Sequence, residues 1–217
     1  MKKVAVLLSG CGVFDGAEIH ESVLTLLELA RSGASYQCFA PDIAQLHVVN
    51  HLTGDIDEAD QRNVLVESAR VARGEVKPLT DMKIDEFDAL VVPGGFGAAK
   101  NLCNFAVAGA ELIIDSGVKR FITQFTQVGK PVGFMCIAPV MIPQCYEAGV
   151  LGTIGSDPHT AAAFELQGGQ HQITKVDDIV VDEVNKVVST PAYMLADNIV
   201  EVHNGITKLV ASVLNMA

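Results

Sequence analysis

Apolar residues in this chain concentrate in short, nearly continuous runs, at 4–8, 36–40, 87–92 and 131–136, with glycine or proline close to the end of each. Runs that are continuous rather than alternating mark strands covered on both faces. Between them the period becomes helical. Ile19, Val23, Leu26, Leu27 and Ala30 share a face within 18–32, which stops at Ser32-Gly33. Val64, Leu65, Ala69 and Ala72 do the same within 61–73, with Gly74 as the stop, and 117–128 reads as a third helix before Gly129-Lys130. The runs 179–181 and 186–189 flank Asp182-Glu183-Val184-Asn185 and predict a hairpin, and 193–215 predicts a closing helix. Two stretches carry no clear period: a polar, Asp-rich excursion at 42–60 containing His47, Asn50 and His51, and residues 98–115. Strands alternating with helices predict one α/β domain over 1–217 with a mostly parallel sheet. Ligands in such sheets collect at the C-terminal strand ends. Ser9 to Phe14, Gly94 to Gly97 and Cys136 all fall there.

Charge narrows the class of partner. With 15 Lys and Arg against 26 Asp and Glu, the formal charge is −11. Nucleic acid and anionic membrane are excluded as principal partners, because either needs a basic footprint. The longest strongly apolar window, 131–146, contains Pro131, Pro139 and Pro143 and is too short to span a bilayer. Two lysines precede the apolar run at 4–8 without a cleavage signature, so this run reads as a first strand. Five cysteines, at 11, 38, 103, 136 and 145, include no CxxC pair and cannot close a disulfide framework. Free thiols in a reducing cytoplasm are the expectation.

Cys136 carries the chemistry. It ends a buried strand and precedes Ile137-Ala138-Pro139, so it sits at a strand-to-helix turn where backbone N–H groups favour a thiolate. Some forty residues upstream, Pro93-Gly94-Gly95-Phe96-Gly97 ends another strand in a loop whose N–H groups can receive a developing oxyanion. Glu18 and Glu21 share a face near the start of the first helix, and either is a candidate general base. His20 between them is expected to point elsewhere. Asp157 and His159 flank Pro158 in a stretch read as a loop, where either could orient substrate. Cys11, in a glycine-rich loop, is a candidate second thiol. No metal-ligand, Walker or dinucleotide pattern occurs, so no metal and no cofactor are expected.

The stretches Leu8-Ser9-Gly10-Cys11-Gly12-Val13, Asp15-Gly16-Ala17-Glu18-Ile19-His20-Glu21, Asn50-His51-Leu52-Thr53-Gly54, Val92-Pro93-Gly94-Gly95-Phe96-Gly97-Ala98-Ala99-Lys100-Asn101, Gly133-Phe134-Met135-Cys136-Ile137-Ala138-Pro139 and Thr190-Pro191-Ala192-Tyr193-Met194-Leu195 resemble the class I glutamine amidotransferase-like superfamily. The resemblance is to the branch of the PfpI proteases and the Parkinson-associated deglycase. Within it the chain is most similar to the ElbB-type proteins, named for enhanced lycopene (isoprenoid) biosynthesis. The resemblance implies a flavodoxin-like three-layer sandwich, usually a homodimer, with a nucleophile elbow at Cys136. It implies a carboxylate from the first helix beside the sulfur, best matched by Glu21 with Glu18 as the fallback, and an oxyanion site at Gly95 and Ile137, with Gly94 adjoining. PfpI proteases place a His directly after the cysteine, where this chain has Ile137, and the deglycase His position falls near Asp157 and His159. Amide hydrolysis therefore lacks its acid for the leaving amine. The activity implied is a cofactor-independent glyoxalase turning glyoxal, or a similar small aldehyde, into glycolate. A deglycase using the same cysteine and a non-catalytic redox-sensing accessory of isoprenoid biosynthesis are the alternatives.

Overall fold

The computed structural model describes all 217 residues, Met1–Ala217. Its strands are β1 (Lys3–Leu7), β2 (Ser35–Ala40), β3 (Val76–Pro78), β4 (Ala89–Val92), β5 (Val132–Met135), β6 (Leu151–Gly152), β7 (Gln170–His171), β8 (Val180–Asp182) and β9 (Val187–Thr190). Its helices are α1 (Ile19–Arg31), α2 (Val64–Val71), α3 (Phe105–Ala108), α4 (Ser116–Gln127), α5 (Ile142–Cys145), α6 (Pro158–Leu166) and α7 (Ile199–Met216). Seven strands form one sheet in the order β3-β2-β1-β4-β5-β9-β8, while β6 and β7 make a separate parallel pair. Every pairing in the large sheet is parallel except β8 with β9, the predicted hairpin.

Alternation along β1 shows why continuous apolar runs were needed. Ala5 and Leu7 join Phe39, Leu90 and Val92 in a core that α4 closes with Val118, Phe121, Ile122 and Phe125. Val4, Val6 and Leu8 point the other way, into a core with Val91, Leu29 of α1, Val64 of α2, and Val202, Ile206 and Leu209 of α7. Both faces of the strand are thus dry, and the architecture is the flavodoxin-like α/β sandwich that the runs and the resemblance led us to expect.

Several local expectations need correction. Asp157 and His159 do not lie in a loop: Pro158–Leu166 is helical, with Asp157 as its N-cap through a 2.7 Å bond from the Thr160 N–H. A proline at the first helical position and a capping carboxylate start this helix, but its alanine-rich interior shows no apolar period. The closing helix begins at Ile199 rather than 193, because Asn198 caps it and residues 192–194 form a separate tight turn. The short edge strand β3 was not anticipated.

The order of strands reverses between β1 and β4, which leave that point in opposite directions across the sheet. A crevice at the C-terminal ends of these two strands is the usual ligand position for the fold. The 8–17 loop, the Gly94–Gly97 loop and the end of β5 meet there.

Candidate active site

Cys136 follows the last residue of β5 and has φ +60°, the left-handed region that a residue with a Cβ enters only at a cost of about 1 kcal/mol or more. The turn is pinned from β9, where the Thr190 carbonyl accepts the Cys136 N–H at 3.0 Å. This sharp corner lifts the thiol to the rim of the sheet, and the backbone N–H groups of Gly95 and Ile137 lie near its sulfur, where they favour the charged form.

Glu21 reaches the same point from the first turn of α1 and is fully buried. Its Oε2 accepts the Gly94 N–H at 2.9 Å, and its Oε1 accepts the Tyr193 N–H at 3.3 Å. The carboxyl also faces the Cys136 thiol closely enough for each group to shift the titration of the other. Burial, with the Glu18 charge next in weight, pushes Glu21 up to about 7. Burial and then the Glu21 charge push the Cys136 thiol well above its ordinary value, against the pull of the Gly95 and Ile137 N–H groups. The elbow N–H groups alone therefore do not yield a free thiolate, as the sequence suggested they would. Thiol and carboxyl form a unit in which two negative charges are strongly disfavoured.

Glu18 stands apart from this pair. It is the N-cap of α1, its Oε2 accepting the Glu21 N–H at 2.7 Å, while its own N–H donates to the Gly94 carbonyl at 3.0 Å. Gly94 thus ties both acids to the end of β4. Of the two carboxylates that share a helix face, only Glu21 engages the sulfur.

A cavity of about 310 Å³ opens over the sulfur. Its floor is Gly95, Cys136 and Ile137, and Phe96, Phe105 and Met194 form much of the wall. Side-chain polarity comes from Glu18, Thr160 and Tyr193. No histidine, lysine or arginine lines it. Asp157 and His159 are exposed and do not line the cavity; the nearest contribution from that segment is Thr160, whose hydroxyl donates to Asp157 at 2.6 Å. A larger groove of about 680 Å³ beside Ile179, Lys186 and Lys208 contains no nucleophile paired with an acid. Nowhere do three or more His, Cys, Asp or Glu side chains gather in a group suited to a metal ion.

Tyr193 was not singled out from sequence. Its N–H holds Glu21, its ring walls the cavity, and its hydroxyl lies 2.7 Å from Nδ1 of His20 in the first turn of α1. Ala192, at φ +44°, is the strained link that aims the Tyr193 N–H. No local pattern announces such a turn. The 42–60 excursion packs on the 8–17 loop: Val49 donates to Asp15 Oδ2 at 2.8 Å, and Phe14 donates to His51 Nε2 at 3.2 Å. It braces the loop that supplies Val13 to the cavity. Cys11 is half-buried and outside the cavity, its thiol raised by burial and then by the Glu67 charge.

No protein-family model matches the chain. A glutamine amidotransferase-like class 1 domain-containing protein 3, mitochondrial, of Homo sapiens is 44% identical over 223 residues, spanning 99% of this chain and 83% of that relative. The crystal structure of an isoprenoid biosynthesis protein with an amidotransferase-like domain from Ehrlichia chaffeensis superposes with a TM-score of 0.93 at 38% identity, covering 100% of this chain and 99% of the other. Glyoxalase III from Candida albicans shares the fold, with a TM-score of 0.64 at 12% identity over 99% of this chain and 97% of its own.

Proposed function

This chain belongs to the glutamine amidotransferase-like class 1 domain family, and within that family we propose that it is a cofactor-independent glyoxalase of the ElbB type, converting glyoxal to glycolate. The observation that carries the reading is the Cys136–Glu21 pair, with two backbone N–H groups at the sulfur and no imidazole in the cavity.

The pair reacts while holding one proton between its two members. The sulfur adds to one aldehyde carbon and the carbonyl electrons move to oxygen, where the Gly95 and Ile137 N–H groups receive the charge. Glu21 supplies the proton that completes the hemithioacetal and is left as a carboxylate. That carboxylate removes the hydrogen on the same carbon as a proton and the electrons pass to the neighbouring carbonyl, giving an enediolate. The second carbon then takes that proton back while the hydroxyl proton of the first carbon moves to the second oxygen, which leaves a thioester beside a CH2OH group. One carbon is oxidised and its neighbour reduced, so no external oxidant is consumed. Water then attacks the thioester, the Cys136 sulfur leaves, and glycolate is released.

Amidotransferase chemistry fits the site less well. Expelling ammonia or an amine needs a proton donor on the leaving nitrogen, the usual task of a histidine after the nucleophile, and Ile137 stands there. A redox-sensing role needs an accessible thiolate, whereas Cys136 is 7% exposed with its thiol pushed up. Removal of aldehyde adducts from amines begins with the same sulfur–carbon bond. Consumption of free glyoxal with no amine present is the assay: turnover supports the glyoxalase, and activity confined to preformed adducts supports a deglycase. A homodimer, carried over from the resemblance, belongs to the same proposal and is read by light scattering. The free thiols suit a reducing compartment such as the cytoplasm; the human relative carries mitochondrial in its name. No helix is long and apolar enough to cross a membrane.

A further inference from the structure

Glu18 has a feature that its capping role does not use. One carboxylate oxygen is occupied by the Glu21 N–H, but the other has no hydrogen-bond partner in the protein, and the residue forms part of the cavity wall. No cationic side chain lines the cavity to offset it. Lys100 does not serve: its Nζ is held by the Phe14 carbonyl at 2.9 Å and stands 5.3 Å from the centre of the Phe96 ring. The backbone N–H groups of Gly95 and Ile137 lie near the sulfur, where the proposed reaction places its oxyanion. The rest of the lining is mostly hydrocarbon, and the whole chain is acidic at −11.

We propose that Glu18 makes the cavity a charge filter, admitting uncharged carbonyl compounds and refusing those that bear a carboxylate or phosphate. The inference rests on Cys136 being the reacting group of the glyoxalase proposed above, and it names the class of substrate that group meets. A like charge entering a partly desolvated site beside a fixed carboxylate is opposed by roughly one to two powers of ten in rate. Glyoxal and uncharged substituted 2-oxoaldehydes pass; glutamine, with its α-carboxylate, and sugar phosphates do not.

Two alkylating reagents of nearly equal size test this without any aldehyde. Iodoacetamide and iodoacetate attack sulfur at the same carbon and lose the same iodide, but only the second is anionic. Site-resolved mass spectrometry gives the iodoacetamide-to-iodoacetate rate ratio at Cys136, with N-acetylcysteine as the free-thiol reference. The filter requires a ratio at least about tenfold above the reference, falling by roughly tenfold in Glu18→Gln. Glutamine keeps an acceptor oxygen for the Glu21 N–H, and a ratio cancels any change in the reactivity of the thiol itself. A wild-type ratio equal to that of N-acetylcysteine overturns the proposal, as does a ratio unchanged in Glu18→Gln. If that variant fails to fold, Glu18→Ser, which keeps a capping oxygen and removes the charge, takes its place. Failure of glyoxal turnover with a high ratio removes the glyoxalase and leaves the filter, while turnover with a flat ratio does the reverse.

Discussion

Gly94 and Cys136 approach so closely that a Cβ on Gly94 would stand 2.5 Å from the Cys136 Cβ, 3.0 Å from its sulfur and 2.9 Å from Glu21 Oε2. Gly94 is not in the left-handed region, so its requirement for glycine is one of space and not of backbone conformation. Gly94→Ala is predicted to push sulfur and carboxyl apart and to lower kcat/KM for glyoxal at least about a hundredfold. Overpacking of this kind costs about 1–3 kcal/mol, which denaturant unfolding measures.

Glu21, held up at about 7, makes activity depend on pH in a definite direction. Below that value the pair keeps both protons and the sulfur cannot attack without losing one. Glyoxal turnover is predicted to rise with pH through about 7 and then level, and Glu21→Gln is predicted to remove that inflection together with most of the activity.

The same shift bears on stability. An unfolded glutamate titrates near 4.5, so between 4.5 and about 7 the folded protein holds a proton that the unfolded chain has released. Folding is therefore favoured by this group below 4.5 and progressively less as pH rises through about 7. The stability of wild type relative to Glu21→Gln should fall by on the order of 3 kcal/mol across that window. Paired unfolding curves at either end check it; a difference that grows with pH contradicts it.

Strain at the elbow yields a comparison within one position. Cysteine and alanine at 136 both carry a Cβ at φ +60°, and glycine does not. Both Cys136→Ala and Cys136→Gly should abolish turnover, but the glycine variant should be the more stable of the two by about 1 kcal/mol. Equal unfolding midpoints with equal slopes would count against strain at this residue.

Tyr193 separates binding from chemistry. Tyr193→Phe removes the 2.7 Å contact to His20 while the backbone N–H to Glu21 stays. The wall of the cavity loosens and the acid does not, so KM for glyoxal should rise about 2–10-fold with kcat changed less. A fall in kcat at constant KM would place the phenol in the reaction itself.

The fold was legible wherever burial on both faces left an unbroken apolar run, as at Val4, Ala5, Val6 and Leu7. It was illegible where packing used little side-chain surface. Val76–Pro78 is a three-residue edge strand ending in proline, and α6 is built on Ala161, Ala162 and Ala163, which leave no stripe to read. In the site, Cys136 was visible because a strand breaks at it. Glu18 and Glu21 could not be separated by spacing alone, since residues three apart share a helix face; depth decides between them, and depth is a property of the packed layers. The Tyr193 contribution is a backbone N–H aimed by a strained alanine, which no side-chain pattern encodes.

Glyoxal-to-glycolate kinetics of wild type beside Cys136→Ala and Glu21→Gln, in chelator and without any amine or thiol, test the central claim. The account predicts stoichiometric glycolate from wild type, none above background from Cys136→Ala, and a loss of at least about a hundredfold in Glu21→Gln. Turnover that survives in Cys136→Ala, or a wild type that leaves free glyoxal untouched, would contradict it.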